Sequence, residues 1–448
     1  SFEGIGVQFN IVKDTIYVIT PISGGPSEKL GIQAGDKIIE VEGEPVAGVG
    51  ITNNDVRKLL KGPKGTRVAV GIQRKGADDL LDFTITRDKI PIFSVDATFM
   101  IDDDIGYIKV NRFAKTTMRE LREGLAELKS NGMKQLILDL QGNGGGMLAT
   151  AIDMADEFLS GDKLIVYTEG RTFPRDNTHG RRDGVFEKGN LIVLVDEGSA
   201  SASEIVSGAV QDWDRGLIVG RRSFGKGLVQ RPVPLPDGSA VRLTVQKYYT
   251  PTGRCIQKSY EDGIDAYRSE KYDRYLTGEL SGLEGIDLPD SLRYETKIKK
   301  RSVYGGGGIL PDVFVPIDTT YQSALFSSML RAGVTNDFAL NFVDPRRDAL
   351  AQQFPTMDDF IQKFEITEAM MTELIELSKE KEVEFNDEEY ARSEFAIKTR
   401  VKALIGRNLY DYSAFYKVVN VLNPSYMKAV EIFQDGSFKK MNLAFSDF

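Results

Sequence analysis

Two short, uninterrupted apolar runs constrain the fold of this chain more than any other feature. KQLILDL (134–140) and LIVLV (191–195) have the length of strands, and their continuous apolar character is typical of strands buried on both faces. Helical patterns at 116–132 and 148–159 flank the first run. This alternation predicts a sheet with parallel strands and helical cover, which we assign to residues 91–320.

Two other regions flank this core, so we predict a multidomain α/β protein. Residues 1–90 alternate β-branched runs such as TIYVITPI (15–22) with Gly/Pro turns and contain one helical pattern at 53–62, which predicts a small β-rich domain. Residues 321–448 carry apolar residues at helical spacing, for example at 388–409. We predict a helical C-terminal domain there, with a structural or oligomer-forming role.

Composition argues against several classes of function. The net charge of −9 argues against a nucleic acid partner, because a surface that follows phosphates needs an excess of Lys and Arg. The single cysteine, Cys255, excludes an internal disulfide framework, and with one histidine, His179, a zinc site built from the usual ligands is not expected. We predict no metal and no cofactor, although counting residues does not exclude a Mg²⁺ held by carboxylates. No run of eighteen apolar residues is present, so no transmembrane helix is predicted.

GRRSFGKG (220–227) is close to a phosphate-binding loop, but Gly227 stands where the Ser or Thr that binds magnesium is required. Such a loop also needs a following helix whose N-terminus faces the phosphates. Here Lys226 is followed by GLVQRPVPLPDG, whose prolines at alternating positions cannot open a helix. A nucleotide site is therefore an alternative that we do not favour.

A second glycine loop, QGNGGGML (141–148), lies between a predicted strand and a predicted helix. This context is that of a dinucleotide fingerprint, but Met147 occupies the place of the last glycine in G-x-G-x-x-G. The loop can also form an anion hole, because its N–H groups are free to converge on an oxyanion. A simple tight turn is the third interpretation, and the residues alone leave these alternatives open.

The segment LIVLVDEGSASASEIVSGAVQD (191–212) is the most specific feature of the chain. It predicts a buried strand, a short turn and a helix, with Ser199, Ser201 and Ser203 at the turn or the first helical residues. A serine there can act as a nucleophile, because the helix dipole and the next backbone N–H favour negative charge on an attacked carbonyl. Serine is also a favoured N-cap, and one serine can cap the helix while another reacts.

A serine nucleophile needs a base, and two candidates are present. His179 lies in RDNTHGRRDG (175–184), a polar, basic segment that we interpret as a mobile, solvated loop. Lys226 lies between Gly225 and Gly227 in a segment between apolar strands, where partial burial would keep its amine neutral and able to accept a proton. Local composition alone does not decide between them.

Three motifs together resemble those of the carboxyl-terminal processing proteases, also called tail-specific proteases: GSASASEI (198–205), SFGKGLVQ (223–230) and LDLQGNGGG (138–146). The resemblance implies a serine peptidase with a Ser-Lys dyad. In that dyad Ser201, the middle serine of its motif, is the nucleophile and Lys226 is the base. Gln230 is implied to orient the lysine.

The same resemblance assigns the oxyanion hole and the architecture of the core. It implies that the N–H groups of Ala202 and Gly145 hold the oxyanion, with Gly144 as the alternative to Gly145. It also implies that the serine protease core is a ClpP/crotonase-like sheet with helices. The chain departs from the family at Gln141, where an Arg usually follows the L-D-L strand, so the contacts near the oxyanion loop are expected to differ.

Residues 1–90 resemble the PDZ domain that this family carries, above all in PSEKLGIQAGDKIIEVEG (26–43). The resemblance implies that a peptide adds as a strand to the sheet edge beside a helix, with its C-terminal carboxylate on a glycine loop. The residues assigned to this site are Gly4, Ile5, Gly6 and Val7 of the loop and Val56, Leu59 and Leu60 of the helix.

The resemblance covers about residues 2–316 and implies an endopeptidase that recognises protein C-terminal tails through its PDZ-like domain and cleaves through an acyl-enzyme. The implied partners are polypeptides with exposed C-termini; a homo-oligomer and an adaptor protein are compatible with it. The implied location is the periplasm or cell envelope of a bacterium, although no signal peptide is visible and the start at Ser1 suggests a processed or engineered N-terminus. The alternative is a gated or inactive peptide-binding scaffold or chaperone that uses the PDZ-like module.

Overall fold

The fold is described from a computed structural model, which covers residues 2–22, 25–33, 35–74, 77, 79–90, 93–260, 263–282, 289–441 and 443. The chain forms two compact units, residues 1–92 with 319–419 and residues 93–318 with 420–448. The region from 321 to 448, predicted as one C-terminal domain, is therefore divided between the two units. None of the described helices is long and apolar enough to cross a membrane.

The first part of the first unit is a small, β-rich fold. Its elements in chain order are β1 (Phe2–Gly4), β2 (Val7–Val12), β3 (Thr15–Pro21), α1 (Pro26–Lys29), β4 (Lys37–Val41), β5 (Glu44–Pro45), α2 (Asn53–Leu60), β6 (Arg67–Gln73), β7 (Leu81–Thr86) and β8 (Asp88–Ile90). The main sheet has the order β2-β3-β4-β6-β7, β5 pairs with β4, and β1 pairs with β8. Alternating residues of β3, Ile16 and Val18, are fully buried against Val56 and Leu60 of α2. The predicted β-rich domain with one amphipathic helix is confirmed.

The second unit contains the α/β core predicted from the apolar runs. Its elements are β9 (Val95–Met100), β10 (Ile105–Val110), α3 (Thr117–Ser130), β11 (Gln135–Asp139), α4 (Leu148–Asp156), β12 (Leu164–Glu169), β13 (Asp176–His179), β14 (Asn190–Val195), α5 (Ala202–Asp212), β15 (Leu217–Gly220), β16 (Leu228–Pro234), β17 (Ala240–Tyr249), α6 (Gly263–Leu276), β18 (Arg293–Glu295), β19 (Ser302–Tyr304) and β20 (Val313–Phe314).

The main sheet of this unit has the order β20-β15-β14-β11-β10-β9. All neighbouring pairs are parallel except β9 with β10, which is antiparallel. The central strands are buried along almost their whole length, as the uninterrupted apolar runs require, because helices cover a parallel sheet on its faces. Helices α3, α4 and α5 contribute to the same apolar core.

A second sheet has the order β13-β12-β17-β16 and is antiparallel. It corrects the prediction of a mobile, solvated loop at 175–184, because Asp176–His179 forms β13 and pairs with β12. β13 lies at the edge of its sheet, where it pairs with β12. Its residues are polar, so they lack the apolar pattern that indicates a buried strand. Strands β16 and β17 form a hairpin whose outer part is exposed.

The remaining chain is helical, as predicted. Helices α7 (Ala324–Arg331), α8 (Val334–Val343), α9 (Arg347–Gln353), α10 (Met357–Lys363), α11 (Glu368–Glu380), α12 (Asp387–Leu409) and α13 (Tyr412–Val419) share one apolar core and belong to the first unit. The last helix, α14 (Pro424–Gln434), belongs to the second unit, where Tyr426 packs edge-on against Tyr107 of β10.

Candidate active site

Three loops of the second unit meet at the carboxyl ends of three neighbouring parallel strands. Residues 140–147 follow β11, residues 196–201 follow β14, and residues 221–227 follow β15. Ligands of open α/β sheets bind at this edge. The loops are joined by backbone hydrogen bonds, for example from Phe224 N–H to Ser199 O at 2.9 Å. The fold therefore brings the three sequence motifs together at one place.

Ser201 occupies an unusual backbone conformation at the N-terminus of α5. Its φ of 58° and ψ of −109° lie in a region that residues with a side chain rarely adopt. Such a conformation costs about 1–3 kcal/mol and persists only where surrounding contacts enforce it. Here the Ser201 N–H donates to Glu204 Oε2 at 2.7 Å, one turn into the helix. The sharp strand-to-helix turn is the arrangement by which a nucleophile elbow projects its serine.

The two neighbouring serines have structural hydrogen bonds. Ser199 Oγ donates to Leu140 O and Ser203 Oγ donates to Asn143 O, both at 2.8 Å, and both side chains are fully buried. They attach the serine turn to the glycine loop after β11. Ser201 is half-buried, so it is the one of these three serines that is not fully enclosed.

Glu204 is a completely buried carboxylate that joins the serine turn to the lysine loop. Its Oε2 accepts from the N–H groups of Ser201 (2.7 Å) and Lys226 (2.9 Å). Its Oε1 accepts from Ser223 Oγ and Gly225 N–H, both at 2.6 Å. Burial raises the pKa of Glu204 above its ordinary value, while these four hydrogen bonds favour the charged form. One carboxylate thus fixes the backbone of both proposed reacting residues.

The segment that resembles a phosphate loop has a different structure. Lys226 leads into the strand β16 instead of a helix, and the N–H groups of Gly225 and Lys226 already donate to Glu204. A Cβ on Gly225, whose φ is 86°, would lie 3.1 Å from the backbone of Gly307 and Gly308. The Gly-rich run at 304–312 is therefore a tight crossing. The nucleotide interpretation has no helix N-terminus after the loop to support it, and the N–H groups of Gly225, Lys226 and Gly227 already have acceptors.

The hydroxyl of Ser201 pairs with a residue that sequence reasoning missed. Ser201 Oγ lies 3.0 Å from the phenol oxygen of Tyr248 on β17. Within the described part of the chain, no hydrogen bond joins Ser201 Oγ to Lys226 Nζ or to His179. The Lys226 side chain is half-buried, and His179 lies on the edge strand β13. The local sequence of β17 gives no reason to select Tyr248.

The candidate oxyanion donors lie beside the serine. The N–H of Ala202 has no acceptor among the described residues, as expected for the first residue of a helix. A Cβ on Gly145 would lie 2.6 Å from Ala200 O and 2.8 Å from Ser201 Cβ, so only glycine fits against the serine turn. The Gly145 N–H donates to Asn143 Oδ1 at 2.9 Å, whereas the Gly144 N–H has no acceptor in the described ranges.

Two glutamines of the sequence motifs, Gln230 and Gln141, have different surroundings. Gln230 is exposed on β16, and among the residues described here its side chain has no hydrogen bond with Lys226. Gln141, the departure from the family pattern, accepts a hydrogen bond from Asn423 Nδ2 at 2.7 Å through its Oε1. Asn423 caps α14, so Gln141 attaches that helix to the end of β11.

A separate cavity of about 220 Å³ lies in the β-rich part of the first unit, between the loop that precedes β2 and helix α2. Its lining includes six of the seven residues predicted for peptide binding, which are Gly4, Ile5, Gly6, Val7, Val56 and Leu60. Leu59 does not line it and instead packs against the core of this domain.

The backbone of the glycine loop is oriented by bonds to its carbonyl groups. Ile5 O accepts from Ser27 N–H and Ser27 Oγ, and Gly6 O accepts from Ile22 N–H. Because C=O and N–H point in opposite directions in a trans peptide, these bonds turn the N–H groups of Gly6 and Val7 the other way. They are therefore available for an anionic group in the cavity.

No cluster of three or more His, Cys, Asp or Glu side chains that could hold a metal is present in the described residues.

Comparisons with known proteins match the regions that contain the candidate active site and the candidate peptide site. Residues 104–266 match the model of peptidase family S41, residues 4–85 match that of the PDZ domain, and residues 325–411 match a family of unknown function. The chain is 36% identical over 325 residues to a carboxy-terminal-processing protease of Bartonella bacilliformis, covering 71% of each protein. It is 38% identical over 258 residues to the carboxy-terminal processing protease CtpA of Bacillus subtilis, covering 58% of this chain and 54% of that protein.

Among solved structures, the photosystem II D1 C-terminal processing protease is 34% identical, with 57% of this chain and 70% of that chain covered and a TM-score of 0.35. The chain thus spans between about half and 71% of the length of these relatives.

We predict that Glu204→Gln disrupts the site. The carboxylate has two acceptor oxygens for its four donors, whereas the amide has one. The NH₂ group of the amide would face N–H or O–H donors, to which it cannot bond. Leaving buried donors unsatisfied costs about 2–4 kcal/mol, and the loss of order should slow reaction of Ser201 with a fluorophosphonate by at least about tenfold. Urea unfolding followed by the fluorescence of Trp213, the single tryptophan, measures the first effect.

The matched control is Glu123→Gln, because Glu123 forms an exposed ion pair with Arg119 on α3. Its removal should change stability by less than about 1 kcal/mol. Wild-type labelling and stability in the Glu204 variant would contradict the role assigned to this carboxylate.

Proposed function

Since the chain belongs to the family of carboxy-terminal processing proteases, peptidase family S41, and is a serine-type peptidase with a PDZ domain, we propose that Ser201 and Lys226 form its catalytic dyad. The observation that carries this proposal is the bond of both backbone N–H groups to the same carboxylate oxygen of Glu204. Because one oxygen holds both backbone N–H groups, the side chains of Ser201 and Lys226 extend from adjacent points of the backbone. Ser199 and Ser203 are buried in structural hydrogen bonds, which further supports Ser201 as the nucleophile.

The proposed reaction begins with proton transfer from Ser201 Oγ to neutral Lys226 Nζ as Oγ attacks the substrate carbonyl carbon. The N–H of Ala202 and a glycine N–H of the loop after β11 hold the oxyanion. Collapse of the tetrahedral intermediate expels the amine, which takes the proton from Lys226, and leaves an acyl-enzyme. Lys226 then accepts a proton from water, which attacks the ester, and returns it to Ser201 Oγ.

The geometry supports the loop after β11 as part of the oxyanion hole, but it does not select between Gly144 and Gly145 as the donor. Gly145 is in contact with the serine turn, yet its N–H is bonded to Asn143 Oδ1, whereas the Gly144 N–H is free within the described ranges. Gly145 serves as the donor if the incoming oxyanion replaces the Asn143 amide oxygen. Gln230 is proposed to approach Lys226 in the substrate complex, which requires a change from its exposed position.

The PDZ domain supports polypeptides with exposed C-termini as the substrate class. We propose that the carboxylate binds the N–H groups of Gly6 and Val7 and that the last side chain enters the cavity against Val56 and Leu60. The peptide adds as a strand along β2, which is an edge strand of its sheet.

Three further proposals rest on the family resemblance alone. They are a location in the periplasm or cell envelope of a bacterium, assembly into a homo-oligomer, and an adaptor protein as a partner. The helical domain that contains α7 to α13 is the proposed site of self-association.

We predict that Ser201→Ala and Lys226→Ala each lower the cleavage rate of an unstructured protein with an apolar C-terminus by at least about a thousandfold, because each removes one member of the dyad. Appearance of new N-termini, followed by fluorescamine, measures the rate. Lys129→Ala, which alters another lysine of the same unit on α3, should retain activity within about twofold. Retained cleavage in either dyad variant would refute the mechanism, whereas an intact but inert wild type would favour the scaffold alternative.

We predict that Arg57→Glu weakens binding of a fluorescent peptide with an apolar C-terminus by about fivefold or more, because Arg57 lines the cavity and a carboxylate there repels the peptide's own. Lys58→Glu, at the adjacent exposed residue of α2 outside the lining, is the matched control and should change the Kd by less than about twofold. Fluorescence polarisation measures both. Equal effects of the two variants would contradict the proposed groove.

A further inference from the structure

Tyr248 is in contact with both halves of the proposed dyad. Its phenol oxygen lies 3.0 Å from Ser201 Oγ, and its backbone N–H donates to the carbonyl of Gly227, directly after Lys226, at 2.8 Å. The side chain is 5% exposed, and its ring belongs to the apolar core of the second unit. Strand β17 therefore holds this hydroxyl against the nucleophile with little freedom to move.

Either hydroxyl group could donate in this hydrogen bond, and the burial of the phenol favours Tyr248 as the donor. Within the part of the chain that the structure describes, Ser201 Oγ is the partner of the Tyr248 phenol, so the buried phenol proton is satisfied when it points at Oγ. Burial raises the pKa of Tyr248, and the nearby charge of Glu204 acts in the same direction, which keeps the phenol protonated. An Oγ that accepts from the phenol keeps its own proton available for a base.

We propose that Tyr248 is a catalytic residue that donates a hydrogen bond to Ser201 Oγ and thereby directs the serine proton toward Lys226. This inference rests on the dyad proposed above. During acylation the Ser201 proton moves to Lys226 Nζ, the Oγ–carbonyl bond forms, and the phenol keeps its proton. During deacylation the phenol stabilises Oγ as the bond to the acyl carbon breaks, and Lys226 returns the proton to Oγ.

The alternative effect of this contact would be inhibitory. A phenol that held Oγ away from Lys226 would act as a brake, and its removal would accelerate the enzyme. The donor role and the brake therefore predict opposite changes in rate for the same variant.

The test compares Tyr248→Phe with Tyr249→Phe. Successive side chains of a strand point to opposite faces, and Tyr249 stacks on Tyr167 with ring centroids 4.7 Å apart. Loss of the Tyr248 hydroxyl should lower kcat for peptide cleavage by about 10–100-fold and slow fluorophosphonate labelling of Ser201 to a similar extent, with KM within about twofold. Tyr249→Phe should stay within about twofold of wild type in all three quantities. Wild-type or increased kcat in Tyr248→Phe would overturn the proposal.

A second variant keeps the test decisive if Tyr248→Phe unfolds, as judged by Trp213 fluorescence. Incorporation of 3,5-difluorotyrosine at position 248 preserves the ring and the hydroxyl but makes the phenol more acidic. Glu204 is the charged side chain that acts on this phenol in the folded protein. Cleavage by this variant, relative to wild type at the same pH, should fall as pH rises and the fluorinated phenol loses its proton, and an unchanged ratio would overturn the proposal. If Ser201→Ala and Lys226→Ala lose activity and the Tyr248 variants keep it, the dyad proposal stands and only this inference is refuted.

Discussion

The buried carboxylate of Glu204 is the interaction on which the site depends. A carboxylate without solvent is costly unless hydrogen bonds replace its hydration, and here four donors from two segments do so. Charge-assisted hydrogen bonds of this kind contribute about 1.5–3 kcal/mol each, which offsets part of the cost of burying the charge. The charge also lies in the first turn of α5, where the helix dipole favours it.

The loop after β11 completes the arrangement from the other side. Asp196 Oδ1 accepts from the N–H groups of Gly142 and Gly198, at 2.8 and 2.9 Å, so one carboxylate joins the glycine loop to the serine turn. Gly145 then packs against Ser201 more closely than any side chain would allow. Asp196 and Glu204 thus connect three strand ends, and the dyad proposal follows from this connection more than from any contact between the two side chains.

Much of the fold could be predicted from the sequence because strong local patterns and tertiary structure agree. The runs at 134–140 and 191–195 became β11 and β14, since an apolar run of strand length has few other ways to be buried. The division of residues 321–448 between two units could not be predicted, because α14 has the same helical spacing as its predecessors and differs only in what it packs against. The edge strand β13 was missed because its residues are polar.

The site was predictable where a residue is marked by its own neighbours, as Ser201 and Lys226 are by their glycine- and alanine-rich motifs. Glu204 stood in the quoted serine motif, yet its function depends on donors from a loop about twenty residues later, which spacing does not reveal. Tyr248 depends on how β17 lies against α5, a tertiary relation with no local signal. Both the contribution of Gln230 and the choice between Gly144 and Gly145 still rest on the family resemblance.

The most direct test of the account is to trap the covalent intermediate. Acid quenching during cleavage of a slowly deacylated peptide ester, followed by proteolytic digestion and mass spectrometry, identifies the acylated residue. An acyl group is expected on Ser201 and none on Ser199 or Ser203, with no acylation at that position in Lys226→Ala on the same timescale. Cleavage without a covalent intermediate, or an acyl group on any other residue, would contradict it.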